Sequence, residues 1–232
     1  MVDSANHRLR TVNLITGTVT TLAGDGQALT TDGVGTAVSF NSPAFIEVSG
    51  THAYVSEEGG HVIRKINLET FAVTTLAGSG EPGSVDGTGT DAQFNEPLGM
   101  AIIDDSLYVA DIANFSIRRI NLNTAEVTTI AGGTQGDTDG TGSVAKFMDP
   151  VGLAAKGNYL YLTDFGARKI KKINRNTYDV TTIAGSDSGF ADGVARAANG
   201  FLTEEHFSPA PHIATRQQLC QFLQPFSLFG FG

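Results

Sequence analysis

The hexapeptide Val-Thr-Thr-Leu-Ala-Gly fills residues 19–24 and occurs again at residues 73–78. With isoleucine in place of leucine, it occurs at 127–132 and at 180–185. Successive copies begin 54, 54 and 53 residues apart. A fixed period of this size is the signature of a repeat architecture, in which each unit buries its apolar surface against the next. The 232-residue chain is therefore predicted to consist mainly of one repeat domain.

The unit at residues 95–132 indicates how each repeat folds. Its runs of apolar and β-branched residues are short and are separated by clusters of Asn, Asp, Gly and Thr. This pattern predicts four short antiparallel strands joined by tight turns, which is the blade of a β-propeller. We predict an all-β, partial (open) β-propeller with a half blade at 2–24 and full blades at 44–78, 98–132 and 151–185.

One acidic and one basic residue recur seven positions apart in every unit, at the end of the predicted second strand and within the third. Because propeller sheets are packed on both faces, a basic residue there needs a charged partner. Four aligned pairs would also be able to line a ligand face, but repetition in every unit favours structural ion pairs over a catalytic site. The pairs are Asp3/Arg10, Glu57/Arg64, Asp111/Arg118 and Asp164/Lys171.

A glycine-rich connection separates the units, as at residues 79–98, and contains Asp-Gly followed by Phe and Pro. Together with Asp-x-x-Asn-His-Arg-x-Arg at 3–10, this order of motifs resembles the NHL-repeat family over about residues 2–193. The resemblance implies a β-propeller, usually six-bladed, and for most members a role as a binding platform. Since fewer blades are present than a closed ring needs, we expect an open arc, a fragment, or a homodimer that completes a ring.

The repeat domain is predicted to cover residues 1–193, because the pattern stops there. Residues 194–232 are predicted to be a divergent tail, either disordered or with a short amphipathic helix at 215–223. It is either a cap on the last blade or a segment that did not evolve with the repeats. Met1 aligns with the middle of a repeat, so we expect a truncated chain of undetermined compartment. The resemblance implies an extracytoplasmic location for many full-length members.

The composition narrows the classes of partner and cofactor. A net charge of −9 argues against nucleic acid, whose binding depends on Lys and Arg. No apolar run approaches the ~20 residues that cross a bilayer. A single cysteine, Cys220, excludes a multi-cysteine metal site, and the five histidines supply no converging ligand set for zinc. Residues 137–142 resemble the start of a calcium loop without its closing Glu, so calcium is the one cofactor left open.

These observations predict a non-catalytic scaffold that binds protein or glycan through the loops of one rim, such as residues 79–98. The alternative is an axial metal-dependent hydrolase or lyase, which the resemblance implies for some six-bladed propellers. The expected axial residues 43–45, 97–99 and 150–152 carry no carboxylate or imidazole, although absent blades would be able to hold such a site. A second alternative is RNA binding through the third strands, which together with the residues next to them hold 11 of the 15 Lys and Arg.

Overall fold

The computed structural model describes residues 1–186. The predictions made for later residues, including the divergent tail at 194–232, lie outside the described residues. The described part forms four antiparallel sheets in an open arrangement, which confirms the prediction of an all-β, open fold of antiparallel blades. Its helical segments are single 3-10 turns at Ser4–Asn6, Gly35–Ala37, Gly89–Asp91, Ile112–Asn114 and Gly142–Val144.

The strands follow the order that the repeats predict, one sheet after another along the chain. The first sheet contains β1 (Val2–Asp3), β2 (Arg8–Val12) and β3 (Val19–Ala23). The second contains β4 (Gly33–Val34), β5 (Pro43–Ser49), β6 (His52–Glu57), β7 (Val62–Asn67) and β8 (Ala72–Ala77). The third contains β9 (Gly87–Thr88), β10 (Pro97–Ile103), β11 (Ser106–Asp111), β12 (Ser116–Asn121) and β13 (Glu126–Gly132). The fourth contains β14 (Gly140–Thr141), β15 (Pro150–Lys156), β16 (Tyr159–Asp164), β17 (Lys169–Asn174) and β18 (Asp179–Ala184).

The strands β5, β10 and β15 line the inner edge of the arc, and β10 contacts β5 on one side and β15 on the other. Their close approach depends on small residues. A Cβ atom on Gly99 would lie 2.2 Å from the carbonyl oxygen of Val151, far inside van der Waals contact. Glycine at this position therefore allows the third and fourth sheets to meet backbone to backbone.

Each full sheet has five strands, where the sequence predicted four. The additional strand is the Asp-Gly part of the connection, which pairs with the outer edge of the blade: Gly87 lies opposite Val127 and Thr88 opposite Glu126. The pairing covers main-chain groups that the fourth strand would otherwise leave exposed at a sheet edge.

The repeated hexapeptide contains a β-bulge in each sheet. In the third sheet Ile117 pairs with Ala131 and Arg118 with Thr129, so Ile130 has no partner on β12. The same register shift occurs in the other three sheets. A bulge increases the local twist and redirects side chains, and here it lies beside the basic residue of every third strand.

The apolar core lies between neighbouring sheets and consists of three clusters. A phenylalanine from each connection is fully buried in one of them: Phe40, Phe94 and Phe147. Each of these rings fixes its connection to the sheets beneath it, so the connections pack as part of the core.

Candidate binding surface at the connection rim

The acidic and basic columns of the second and third sheets form buried ion pairs. Arg64 Nη1 lies 2.5 Å from Glu57 Oε1, and Arg118 Nη1 lies 2.8 Å from Asp111 Oδ2, with all four side chains fully buried. The guanidinium carbon of Arg118 lies 5.0 Å from the ring centroid of Phe94, which adds a cation–π contact.

The first sheet contains the corresponding pair in an exposed form. Arg10 Nε lies 3.1 Å from Asp3 Oδ2, and the two side chains are 32% and 23% exposed.

The fourth predicted pair is different and is corrected by the structure. Lys171 is fully buried, but its Nζ lies 2.9 Å from Asp137 and 3.1 Å from Asp139, both in the connection. Asp164 instead accepts hydrogen bonds from the backbone N–H groups of Met148 and Asp149, and among residues 1–186 no ion pair within 4 Å joins it to Lys171. Burial raises the pKa of Asp164, and these hydrogen bonds together with the charge of Lys171 oppose the rise. The single ammonium of Lys171 pairs with two carboxylates of the connection, whereas the forks of Arg64 and Arg118 each pair with one connection aspartate and one second-strand acid.

The aspartate of each Asp-Gly pair is a second partner of the basic residue, which the sequence analysis did not predict. Arg118 Nη2 lies 2.8 Å from Asp86 Oδ1 and donates to the Val85 carbonyl at 3.0 Å. Asp86 also accepts from the backbone N–H and the hydroxyl of Thr129. Burial acts to raise the pKa of Asp86, but the hydrogen bonds from Thr129 and Arg118 outweigh it and hold the pKa below its usual value.

The acid at the end of each second strand holds the point where the connection enters the next inner strand. Asp111 accepts from the backbone N–H of Asn95 at 2.7 Å and from the amide of Asn114 at 2.8 Å. Burial raises the pKa of Asp111, and these hydrogen bonds together with the charge of Arg118 oppose the rise. Glu57 has the same role in the second sheet, where it accepts from the backbone N–H of Asn41 at 2.7 Å.

The two repeat-position histidines also join successive units. Nδ1 of His7 accepts from the backbone N–H of Ser42 at 3.1 Å, and Nδ1 of His61 accepts from that of Glu96 at 3.2 Å. Both histidines adopt the left-handed conformation, with φ of 53°. Within residues 1–186, no group of three or more His, Cys, Asp or Glu side chains is arranged to hold a metal ion.

The candidate calcium loop at residues 137–142 directs its carboxylates to lysines. Asp137 pairs with Lys169 and Lys171, and Asp139 pairs with Lys171. Burial acts to raise the pKa of Asp137, but the hydrogen bonds from Lys169 and Lys171 lower it below its usual value. Some basic side chains of the third strands are not available to a nucleic acid. Arg64, Arg118 and Lys171 are fully buried, so they cannot contact a phosphate backbone.

These contacts define a surface that we call the connection rim: residues 24–42, 78–96 and 132–149. Each of its three segments is fixed by a buried phenylalanine, by a buried basic side chain and by the acid that precedes the third strand. A search of the described residues for membrane-spanning helices found none of sufficient length and hydropathy.

Two curated proteins have sequences similar to these repeats. NHL repeat-containing protein 2 of Homo sapiens is 27% identical over 80% of this chain and 31% of its own length. The chloroplastic protein SUPPRESSOR OF QUENCHING 1 of Arabidopsis thaliana is 35% identical over 54% of this chain and 13% of its own length. The chain thus spans less than a third of either relative. No protein-family model matches the chain.

Solved structures with the same fold are β-propellers. An auxiliary nutrient binding protein from Bacteroides thetaiotaomicron VPI-5482 superposes with a TM-score of 0.61 at 20% identity, over 77% of this chain and 44% of that protein. Virginiamycin B lyase from Staphylococcus aureus superposes with a TM-score of 0.51 at 17% identity, over 78% of this chain and 49% of the lyase. At these identities the likeness concerns the fold alone. The repeats of this chain are therefore similar in sequence to those of NHL repeat-containing protein 2, and the described part forms an open arc with the fold of a β-propeller.

Proposed function

We propose that this chain is a non-catalytic scaffold that binds protein or glycan through the connection rim. The observation that carries the proposal is the way each connection is built. Its backbone is fixed by buried groups that repeat from unit to unit, whereas its outward side chains differ. Rigid loops with variable outer residues are the usual setting for recognition.

Exposed apolar side chains on the rim support a partner-binding role. Leu29, Val85 and Val144 are 57%, 53% and 63% exposed, and each lies in a different connection. The three valine and leucine positions do not coincide within the repeat, so they do not serve the packing that all blades share. Apolar side chains of this kind lose unfavourable contact with water when a partner covers them.

The two alternatives receive less support from the described residues. An axial hydrolase or lyase needs carboxylates or imidazoles near the inner strands, and residues 43–45, 97–99 and 150–152 carry neither. Binding of RNA through the third strands would need their basic side chains at the surface, yet the central one in each full sheet is buried.

A paired cross-linking experiment tests the proposal. A photo-reactive amino acid replaces Val85 on the connection rim or, as a control, Val48 near the opposite rim; the two valines are 53% and 58% exposed. Each variant is incubated with extract from the source organism, irradiated and analysed by mass spectrometry, and each is also applied to a glycan array. We expect reproducible partners or glycan signals that depend on the connection rim, with adducts from position 85 and not from position 48.

A second pair of variants tests the same surface without the cross-linker. Val85→Glu should weaken binding of the partner found, and Val48→Glu should leave it unchanged. Adducts from position 48 alone, or equal effects of the two glutamates, would contradict the proposal.

A further inference from the structure

A polar cleft of about 450 Å³ lies between the third and fourth sheets at the rim opposite the connections. Its walls come from the turn after β10, from β11 and β12, and from the turn between β17 and β18. The lining residues that matter for its chemistry are Asp104, Ser106, Tyr108, Arg119, Arg175 and Tyr178. None of them takes part in the ion pairs that fix the connections.

The two arginines of the cleft have unused hydrogen-bonding capacity. Arg175 donates from Nη1 to Asp104 Oδ2 at 2.6 Å, but its Nε is buried and has no hydrogen-bond partner among residues 1–186. Arg119 donates from Nε to the hydroxyl of Ser106 at 3.0 Å and forms no ion pair in the same part of the chain. The terminal nitrogens of Arg119, which form no ion pair, can therefore donate to an acceptor that enters the cleft.

The charge of the cleft differs in sign from that of the protein. Two guanidinium groups face one carboxylate, which gives the lining a net positive charge in a chain of net charge −9. Tyr108 and Tyr178 add two phenol rings to the walls. Burial raises the pKa of Tyr108, so its hydroxyl stays protonated at neutral pH and remains a donor.

The preceding pair of sheets shows that this chemistry is not required by the fold. At the repeat positions of Arg175 and Tyr178, the third sheet has Leu122 and Ala125. Leu122 packs against the apolar cluster between the second and third sheets. At these two positions the groove between the second and third sheets is therefore apolar, and its one cation at an equivalent position is Lys65, the counterpart of Arg119.

From this geometry we propose that the cleft binds a small oxyanion, the carboxylate of an acidic sugar or the phosphate of a sugar phosphate. The oxyanion accepts hydrogen bonds from the terminal nitrogens of Arg119 and Arg175, and the sugar ring packs against the tyrosines. Guanidinium groups suit both anions because their N–H groups match the spacing of paired oxygens. The site lies at the rim opposite the proposed partner surface, so it stands or fails independently of the proposed function.

Titration calorimetry on the full chain tests this site with four probes: glucuronate, glucose 6-phosphate, inorganic phosphate and glucose. We expect binding of at least one of the two acidic sugars and none of glucose at the same concentration. Preference for glucuronate would identify a carboxylate ligand, and preference for glucose 6-phosphate a phosphate ligand. If glucose binds as well as both acidic sugars, or if neither acidic sugar binds, the proposal is wrong.

Variants taken from the repeat itself locate the binding. Arg175→Leu introduces the residue that the third sheet has at this position. It should raise the Kd about tenfold or more, as expected for loss of one charge-assisted hydrogen bond. Lys65→Met removes the cation at the position equivalent to Arg119 in the preceding groove, and it should leave the Kd unchanged. A folded Arg175→Leu variant, checked by circular dichroism, that binds as tightly as the parent would overturn the assignment.

Discussion

Ser56 in β6 donates a hydrogen bond of 2.8 Å from its hydroxyl to the carbonyl oxygen of Leu98 in β10 and so joins the second sheet to the third. The same hydroxyl oxygen accepts from the backbone N–H of Phe45 at 3.1 Å. Ser56 is fully buried. One small side chain thus serves two backbone groups on neighbouring inner strands, and the contact between these sheets is polar as well as apolar.

Replacing this serine should destabilise the arc although it removes only one atom. Ser56→Ala leaves the Leu98 carbonyl and the Phe45 N–H without their partner, which should lower the free energy of unfolding by about 1–3 kcal/mol. The third sheet has Ala110 at the equivalent position, so alanine itself suits the strand. Urea unfolding followed by circular dichroism measures the loss. Exposed Ser49→Ala is the control, and equal midpoints for the two variants would contradict the prediction.

The buried and exposed copies of the ion pair should differ in energy. Arg118→Met leaves Asp111 buried without its cation, and the expected loss in unfolding free energy is about 3–5 kcal/mol. Arg10→Met removes the matching arginine from the partly exposed pair of the first sheet, where about 1 kcal/mol or less is expected. Thermal and urea unfolding of both variants check the comparison. A loss at Arg10 as large as that at Arg118 would show that burial is not the cause.

The aspartate of the Asp-Gly pair should keep its connection closed against solvent. Asp86→Ala removes the acceptor for Arg118 and Thr129, so backbone amides of residues 79–96 should exchange faster with deuterium. Asp91→Ala is the matched control, since Asp91 is an exposed aspartate in the same connection. Hydrogen exchange with mass spectrometry measures both. Unchanged protection of residues 79–96 in Asp86→Ala would exclude this role.

Glu47 should make stability fall as the pH rises. Burial raises the pKa of this carboxyl from 4.5 to about 7, so the folded state binds its proton more tightly than the unfolded state does. The favourable contribution is complete below about pH 4.5 and is lost as the pH rises towards 7, with a total change of at most about 3 kcal/mol. Aspartates with lowered pKa values, such as Asp86, gain their protons at lower pH than Glu47 does. They therefore do not change stability in the pH range in which Glu47 loses its proton.

Urea midpoints measured between pH 5 and 8 test the role of Glu47. Glu47→Gln should flatten the decline and raise the midpoint at pH 8, whereas exposed Glu126→Gln should change neither. A decline that persists unchanged in Glu47→Gln would assign it to another group.

The repeat period and the strand pattern were sufficient to predict the sheets, because alternating β-branched runs and turn residues recur at every blade. The fifth strands were missed because Gly87-Thr88 and its counterparts carry no apolar pattern. The Asp of each Asp-Gly pair was interpreted only as a turn former. Its constant spacing of 32 residues from the basic residue was the signal that would have identified it as an ion-pair partner.

The cleft was missed for the opposite reason. Alignment of the repeats directs attention to columns that are shared, but Arg175 and Tyr178 matter because they depart from the residues at the same position in the preceding unit. The pairing of Lys171 with Asp164 was predicted from the column and is wrong in its contacts, since Asp137 has no counterpart in the other connections. Departures from a repeat are assigned a role only once the folded chain shows what they face.

The ion-pair network of one blade lies within a single copy of the sequence period. The partners of Arg118 extend from Val85 to Asp111, and the aspartate that it contacts reaches Thr129, 43 residues along the chain, which is shorter than the 54-residue repeat. A duplicated or deleted unit that begins in the connection therefore brings or removes every partner of its own arginine. Genes for such arcs are free to lengthen or shorten by whole units without stranding a charge in the interior.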